Sequence, residues 1–351
     1  MTSFVELGPV IALSKAMDRR TFLASLSSVP FLPATLAEEL PEGVNKVDLL
    51  GYRGCVQLRN QTTVVTLCHH AGGRVLEYSH LGHNALYLDP KEAAFGASDG
   101  PKSPSSAGRF DIGPEYIIPQ HEGLWSGPWS SEIIGPRAAR LTSQDDPATG
   151  VRLTRDFVLD ARSSKLSCTQ TIHNVSNRAV NWAHWSRTFA IHGGIGVIPQ
   201  TPATRRFPKG FVMYEQTGEH AIILKPTDPN IRMRGDFLEV LAPPRLPKIG
   251  FDTHAGWFAY VMPHGQAFVK RFASPPEAVY PEIAGLTLCL WYPKADFLPA
   301  CELEPHGPRN EIPPGRSSSF TEEWFLLPHP FPKFGESIDL ESLQKTVHSL
   351  R

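Results

Sequence analysis

The sequence has no charge excess: 34 Lys and Arg stand against 35 Asp and Glu in 351 residues, a net charge of −1. A chain so nearly neutral has no electrostatic case for binding nucleic acid or another polyanion. Long apolar runs are missing too. The stretch FLASLSSVPFLPATLA at 22–37 is too short and too polar to span a bilayer, so no stable membrane insertion is expected. Cysteine is scarce. Cys55, Cys68, Cys168, Cys289 and Cys301 are odd in number, include no C-x-x-C, lack metal-type spacing, and read as buried free thiols. A Gly-rich phosphate loop and a G-x-S-x-G elbow are both absent, as are any fixed-period repeat and any low-complexity tract.

Proline (33) and glycine (28) are plentiful and interrupt most long segments, which describes many strands joined by loops. VRLTRDFVL at 151–159 and LSCTQTI at 166–172 alternate apolar and polar residues around the turn-like ARSS, and predict an antiparallel hairpin. Further strands are expected at 63–68, 73–78, 221–225, 256–262, 266–272, 286–292, 300–304 and 319–327. Residues 93–108 read as a long surface loop. Only the tail SIDLESLQKTVHSL reads as a helix, capped by Ser337, with Leu340, Leu343, Val347 and Leu350 as its apolar stripe. So many strands without repeats imply stacked antiparallel sheets, an all-β sandwich.

The N-terminus reads differently. Asp18-Arg19-Arg20-Thr21-Phe22-Leu23 is close to a twin-arginine export consensus, and small residues end the following stretch at Ala34–Ala37. Residues 1–37 are therefore expected to be an export signal, with Met17 as an alternative start. Residues 38–351 are expected to form a single β-sandwich domain, periplasmic or secreted. A twin-arginine route carries proteins already folded in a reducing compartment, so few disulfides are needed.

Four clusters carry residues suited to chemistry. AGRFDIGPEYIIPQHEGLWSGPW at 107–129 gathers Arg109, His121, Trp125 and Trp129. Indole faces stack on sugar rings while charged groups take the hydroxyls. NWAHWSRTFAI at 181–191 places His184 and Arg187 in an apolar strand, where both are costly to desolvate without partners. In ACELEPHGPRNE at 300–311, Glu302 and Glu304 are two apart and share one face of a strand, so one can be a general base. HHAGGRVLEYSHLGH at 69–83 holds four histidines. No helix aligns His80 with His83 and no carboxylate completes a ligand set, so no metal is expected there. Gly72 and Gly73 read as a hairpin turn.

In this order, the segments resemble the galactose mutarotase-like superfamily. GGRVLEYSHLGHNALYLDP resembles its early strand pair and G-x-N-x-L turn. AGRFDIGPE with PQHEGLWSGPW resembles its substrate arginine and first active-site histidine. IHNVSNRAVNWAHWSRTF resembles the strand–turn–strand with the second histidine, and CELEPHGPRNEIPPGRSSSFTEEWFL the segment with the C-terminal glutamate. The resemblance spans roughly residues 50–328 and implies a β-supersandwich. It further implies that Arg109 and His121 hold sugar hydroxyls, that His184 is the acid at the ring oxygen, and that Glu304, or else Glu302, is the base at the anomeric hydroxyl. The family's hydroxyl-binding aspartate has no clear counterpart in the sequence, and Asp252 is only a candidate for it. The implied activity is aldose 1-epimerisation without metal or organic cofactor. Non-catalytic glycan binding is the alternative and polysaccharide lysis the third, all with a sugar or glycan as partner and none fixing an oligomeric state. Two departures are plain: Ala183-His184-Trp185 replaces the usual asparagine-histidine-aromatic signature, and Gly307-Pro308-Arg309-Asn310 stands where Pro-Asp-Ala is usual.

Overall fold

In the computed structural model, residues 39–201, 206–215 and 221–350 are described. The export signal expected over residues 1–37 lies outside them. The hairpin forms as the alternation predicts. Val151–Leu159 pairs antiparallel with Leu166–Asn174, from Leu159 opposite Leu166 to Val151 opposite Asn174, and alternate side chains of both strands are buried. Asp160 closes the turn: its Oδ1 accepts from the backbone N–H of Arg162 and Ser163 and from the Ser163 hydroxyl.

Among the described residues, such hairpins build two antiparallel sheets, one of 13 strands and one of 10. The expected strand at 63–68 is Thr63–Cys68, that at 300–304 extends to Pro305, and that at 319–327 runs Ser317–Pro328. The sheets stack on a common apolar layer that includes Phe110, Ile112 and Leu303 from the larger and Phe157, Phe268 and Trp324 from the smaller. The described residues from Leu40 onward form one compact unit.

The outer side of the smaller sheet is covered by the C-terminal helix, Leu340–Ser349. Leu340, Leu343 and Val347 bury against Val197, Trp257, Ala259, Val269 and Phe325. The expected cap is corrected here. Asp339, not Ser337, accepts the Ser342 N–H at 3.0 Å, because Ile338 is itself buried and the first helical turn starts after it. No helix among the described residues is long and apolar enough to cross a membrane.

The middle of the larger sheet positions the polar residues. Its longest strand there, Val180–Ile191, pairs with Gly108–Gly113 on one side. On the other it pairs with Asn310–Ile312 through Val180–Trp182 and with Ala300–Pro305 through Thr188–Ile191. Leu288–Trp291 and then Lys248–Phe251 follow beyond Ala300–Pro305.

Candidate functional site

Strand alternation sorts these residues onto two faces. Trp185 stands opposite Asp111, Arg187 opposite Arg109, Phe189 opposite Glu302, Trp291 opposite Glu302, Cys289 opposite Glu304 and Lys248 opposite Trp291. Paired residues share a face, so Arg109, Asp111, Trp185, Arg187, Glu302, Glu304 and Lys248 all lie on one side. The opposite side carries Phe110, Ile112, His184, Ser186, Thr188 and Leu303, and is the side packed against the smaller sheet.

On the outer face, Arg187 and Glu302 form a forked ion pair, Nε to Oε1 at 2.8 Å and Nη2 to Oε2 at 3.4 Å. The guanidinium is held between two indoles, 4.5 Å from the Trp185 ring centre and 4.8 Å from that of Trp125. Trp185 Nε1 donates to Glu304 Oε2 at 2.8 Å. Lys248 Nζ lies 3.5 Å from that same oxygen, donates to Glu115 at 2.8 Å, and sits over the Trp185 and Tyr214 rings. Glu304 Oε1 is buried without a hydrogen-bond partner. Burial raises the pKa of both glutamates. Arg187 for Glu302 and Lys248 for Glu304 offset this only in part, and each carboxylate also repels its acidic neighbours. Two carboxylates on one face sharing two cations thus take up a proton more readily than ordinary glutamates do.

His184 is not part of this cluster, and the expectation that it is the ring-oxygen acid is corrected. Its ring is stacked between Phe110 and Phe320, each 5.6 Å away, inside the inter-sheet core. Nε2 lies 3.1 Å from the Ser318 carbonyl, which can only accept, so Nε2 carries the hydrogen and the buried Nδ1 has neither proton nor partner. Burial pushes its pKa down to about 4, against which the Ser318 and Gln170 backbone acts weakly. The alternation that brings Trp185 and Arg187 outward turns His184 inward.

The loop residues divide. Arg109 is buried beneath its own loop, with its guanidinium donating to the Trp125 and Pro104 carbonyls and stacked 3.8 Å from the Trp125 ring centre. It therefore anchors the loop, and its hydrogen bonds go to backbone. Trp129 is corrected from sugar platform to core anchor. It is buried, donates Nε1 to the Leu124 carbonyl, and lies against Gly73. Trp125 stays half-buried, with guanidiniums on its ring. His121, expected to hold sugar hydroxyls, has both ring nitrogens tied to protein groups. Burial opposes its charge, yet Asp111 Oδ1 at 2.9 Å and the Pro119 carbonyl at 2.7 Å both face ring nitrogens and raise its pKa. Asp252 is buried and paired with Arg206 at 2.9 Å, and burial raises its pKa despite that partner.

Lys248 and His306 were missed by the sequence reading. Lys248 opens a four-residue strand and gives no pattern of its own. His306 was legible, being two residues beyond Glu304 and so on the same alternation. Its Nδ1 donates to the Leu286 carbonyl at 3.1 Å, its Nε2 is buried without a partner, and its ring meets Trp185 edge-on. It lines, with Trp185, Pro114, Glu282 and His184, a cavity of about 10 Å³, room for about one water. Among the described residues, no three His, Cys, Asp or Glu side chains converge as metal ligands.

No protein-family model matches the sequence, and no curated protein matches it. Solved structures do. A candidate aldose 1-epimerase from Escherichia coli K12 superimposes with a TM-score of 0.55 at 13% identity, covering 78% of this chain and 98% of that one. A protein from Synechocystis sp. PCC 6803 gives 0.53 at 14%, covering 81% and 99%. A galactose mutarotase-like protein from Lactobacillus casei ATCC 334 gives 0.53 at 10%, covering 78% and 100%. The chain therefore has the galactose mutarotase-like fold, as the order of its motifs implied.

Proposed function

We propose that the protein binds a saccharide on the outer face of the larger sheet, and that Glu304 takes the anomeric proton in an aldose 1-epimerase-type opening of the sugar ring. The observation that carries this reading is the unpartnered Oε1 of Glu304 in a cluster whose other carboxylates are paired. A base needs a free lone pair and a pKa raised toward neutrality, and burial supplies the second. Arg187 and Lys248 keep a small exposed edge and Glu115 is exposed, and these would meet the hydroxyls. Opening a cyclic hemiacetal removes the C1 hydroxyl proton and delivers one to the ring oxygen. Reclosure from the other face inverts the anomer. On this face the ammonium of Lys248, 3.5 Å from Glu304, is the cation placed to serve the ring oxygen.

Binding without turnover is the second reading, and the position of His184 favours it. The histidine assigned as acid faces the core, and Lys248, held by Glu304 and Glu115, has its pKa raised and gives up its proton reluctantly. Calorimetric titration with aldoses, paired with polarimetry on the same samples, separates the two. Heat with accelerated mutarotation supports the enzyme, heat alone the binding protein, and neither refutes both. The export signal read over residues 1–37 would put this activity in the periplasm or outside the cell.

A further inference from the structure

Cys55 and Cys68 stand apart from the other three cysteines. In the antiparallel pair of Tyr52–Arg59 with Thr63–Cys68, Val56 is opposite Leu67, so the next residues out, Cys55 and Cys68, face each other across the two strands. Directly opposed residues in such a pair have Cα atoms about 4.5–5.5 Å apart. A disulfide spans about 4.4–6.8 Å between Cα atoms, so either spacing fits one without moving the backbone. Cys55 Sγ donates to the Tyr52 carbonyl at 3.7 Å, and both thiols lie in one buried cluster. Both are fully buried under Tyr52, Leu76 and Ala107, with Leu49, Leu88 and Phe95 half-buried around them.

We propose that Cys55 and Cys68 are a cross-strand dithiol that hydroperoxides oxidise to a disulfide. Cys68 is the attacking member, because Arg74 stands directly opposite it on the next strand. The neighbouring Cys55 thiol lowers its pKa against the opposing effect of burial, and Arg74 and the His70 backbone act in the same direction. The Cys68 thiolate attacks the O–O bond of hydrogen peroxide, forming a sulfenic acid and releasing hydroxide. The Cys55 thiol then attacks that sulfur, the S–S bond forms, and water leaves. Two thiols and one peroxide give one disulfide and two waters. Hydrogen peroxide has two heavy atoms, so it needs a smaller opening of the cover over this pair than a bulky disulfide oxidant does. The bond would fix the end of a strand that holds the candidate site's loop: the His69 carbonyl accepts the Trp129 N–H, and the Gly72 N–H donates to the Gly127 carbonyl.

The test uses the whole chain. Protein exposed to hydrogen peroxide is denatured, alkylated and digested without reductant for mass spectrometry. The expected result is a linked Cys55–Cys68 peptide pair lighter by two hydrogens, restored by dithiothreitol, while Cys168, Cys289 and Cys301 are alkylated. In Cys55→Ser the partner is gone, and Cys68 should instead be trapped by dimedone as sulfenic acid. Full alkylation of all five thiols in the wild type after peroxide would overturn the proposal, as would oxidation of Cys68 to sulfinic acid with Cys55 left free.

Discussion

His184 and Trp185 are adjacent in the chain and lie on opposite faces of one sheet. His184 is stacked between Phe110 and Phe320 in the core, and Trp185 donates to Glu304 on the outer face. The boundary between the inter-sheet core and the candidate site therefore falls between two consecutive residues.

The buried imidazole makes stability depend on pH. Its folded pKa, about 4, is below the unfolded value of about 6.5, so the unfolded chain binds the extra proton between those limits. This contribution is complete above pH 6.5 and is lost as pH falls toward 4, on the order of 3 kcal/mol in all. His184→Leu removes the titration. Thermal melts from pH 7.5 to 4.5 should fall less steeply for the variant, although it starts lower for lack of the Ser318 hydrogen bond. Parallel curves for the two proteins would contradict the placement.

Deeper between the sheets, Lys270 is fully buried. Its ammonium reaches Ser186 at 3.0 Å, Thr188 at 2.8 Å and Glu322 Oε2 at 3.1 Å, while Glu322 also accepts from Gln170 and Trp324. Lys270→Met leaves the carboxylate uncompensated and is expected to cost about 3–5 kcal/mol. Adding Glu322→Gln should recover a large part of it. Urea unfolding of both variants checks this, and a double mutant no more stable than the single would show that the pair carries no such charge penalty.

Two glycines separate backbone strain from steric contact. Gly54 and Gly72 both have positive φ, 61° and 69°, but a Cβ on Gly54 meets open space and one on Gly72 meets the Trp125 carbonyl. Gly54→Ala should cost about 1–2 kcal/mol from the left-handed backbone alone. Gly72→Ala should cost clearly more and loosen Trp125, read as a change in tryptophan fluorescence that Gly54→Ala does not show. Equal melts and equal spectra would mean that Gly72 does not support the loop.

The fold was legible because period-two alternation, turn chemistry and the order of the motifs agree with one another, as at 151–172. The two-apart spacing of Glu302 and Glu304 correctly placed both on one face. The histidine failed for the same physical reason that the glutamates succeeded. In an apolar strand flanked by tryptophans, the sequence NWAHWSR does not say which alternate set faces the companion sheet, and a shift of one residue exchanges the faces. Trp125 and Trp129 look alike in GLWSGPW, yet Trp129 fills the space left by Gly73, a tertiary contact that no local pattern reports. Lys248 joins from a distant strand, and its role exists only once Leu288–Trp291 brings it beside Glu304.

The most direct test of the account is polarimetry of aldose mutarotation with wild type, Glu304→Gln and His184→Leu, each first shown to melt cooperatively. The account predicts that Glu304→Gln loses about 10²–10⁴-fold in rate, the usual contribution of one positioned proton-transfer group, while His184→Leu stays within a few-fold of wild type. A fully active Glu304→Gln, or an inactive but folded His184→Leu, would contradict it.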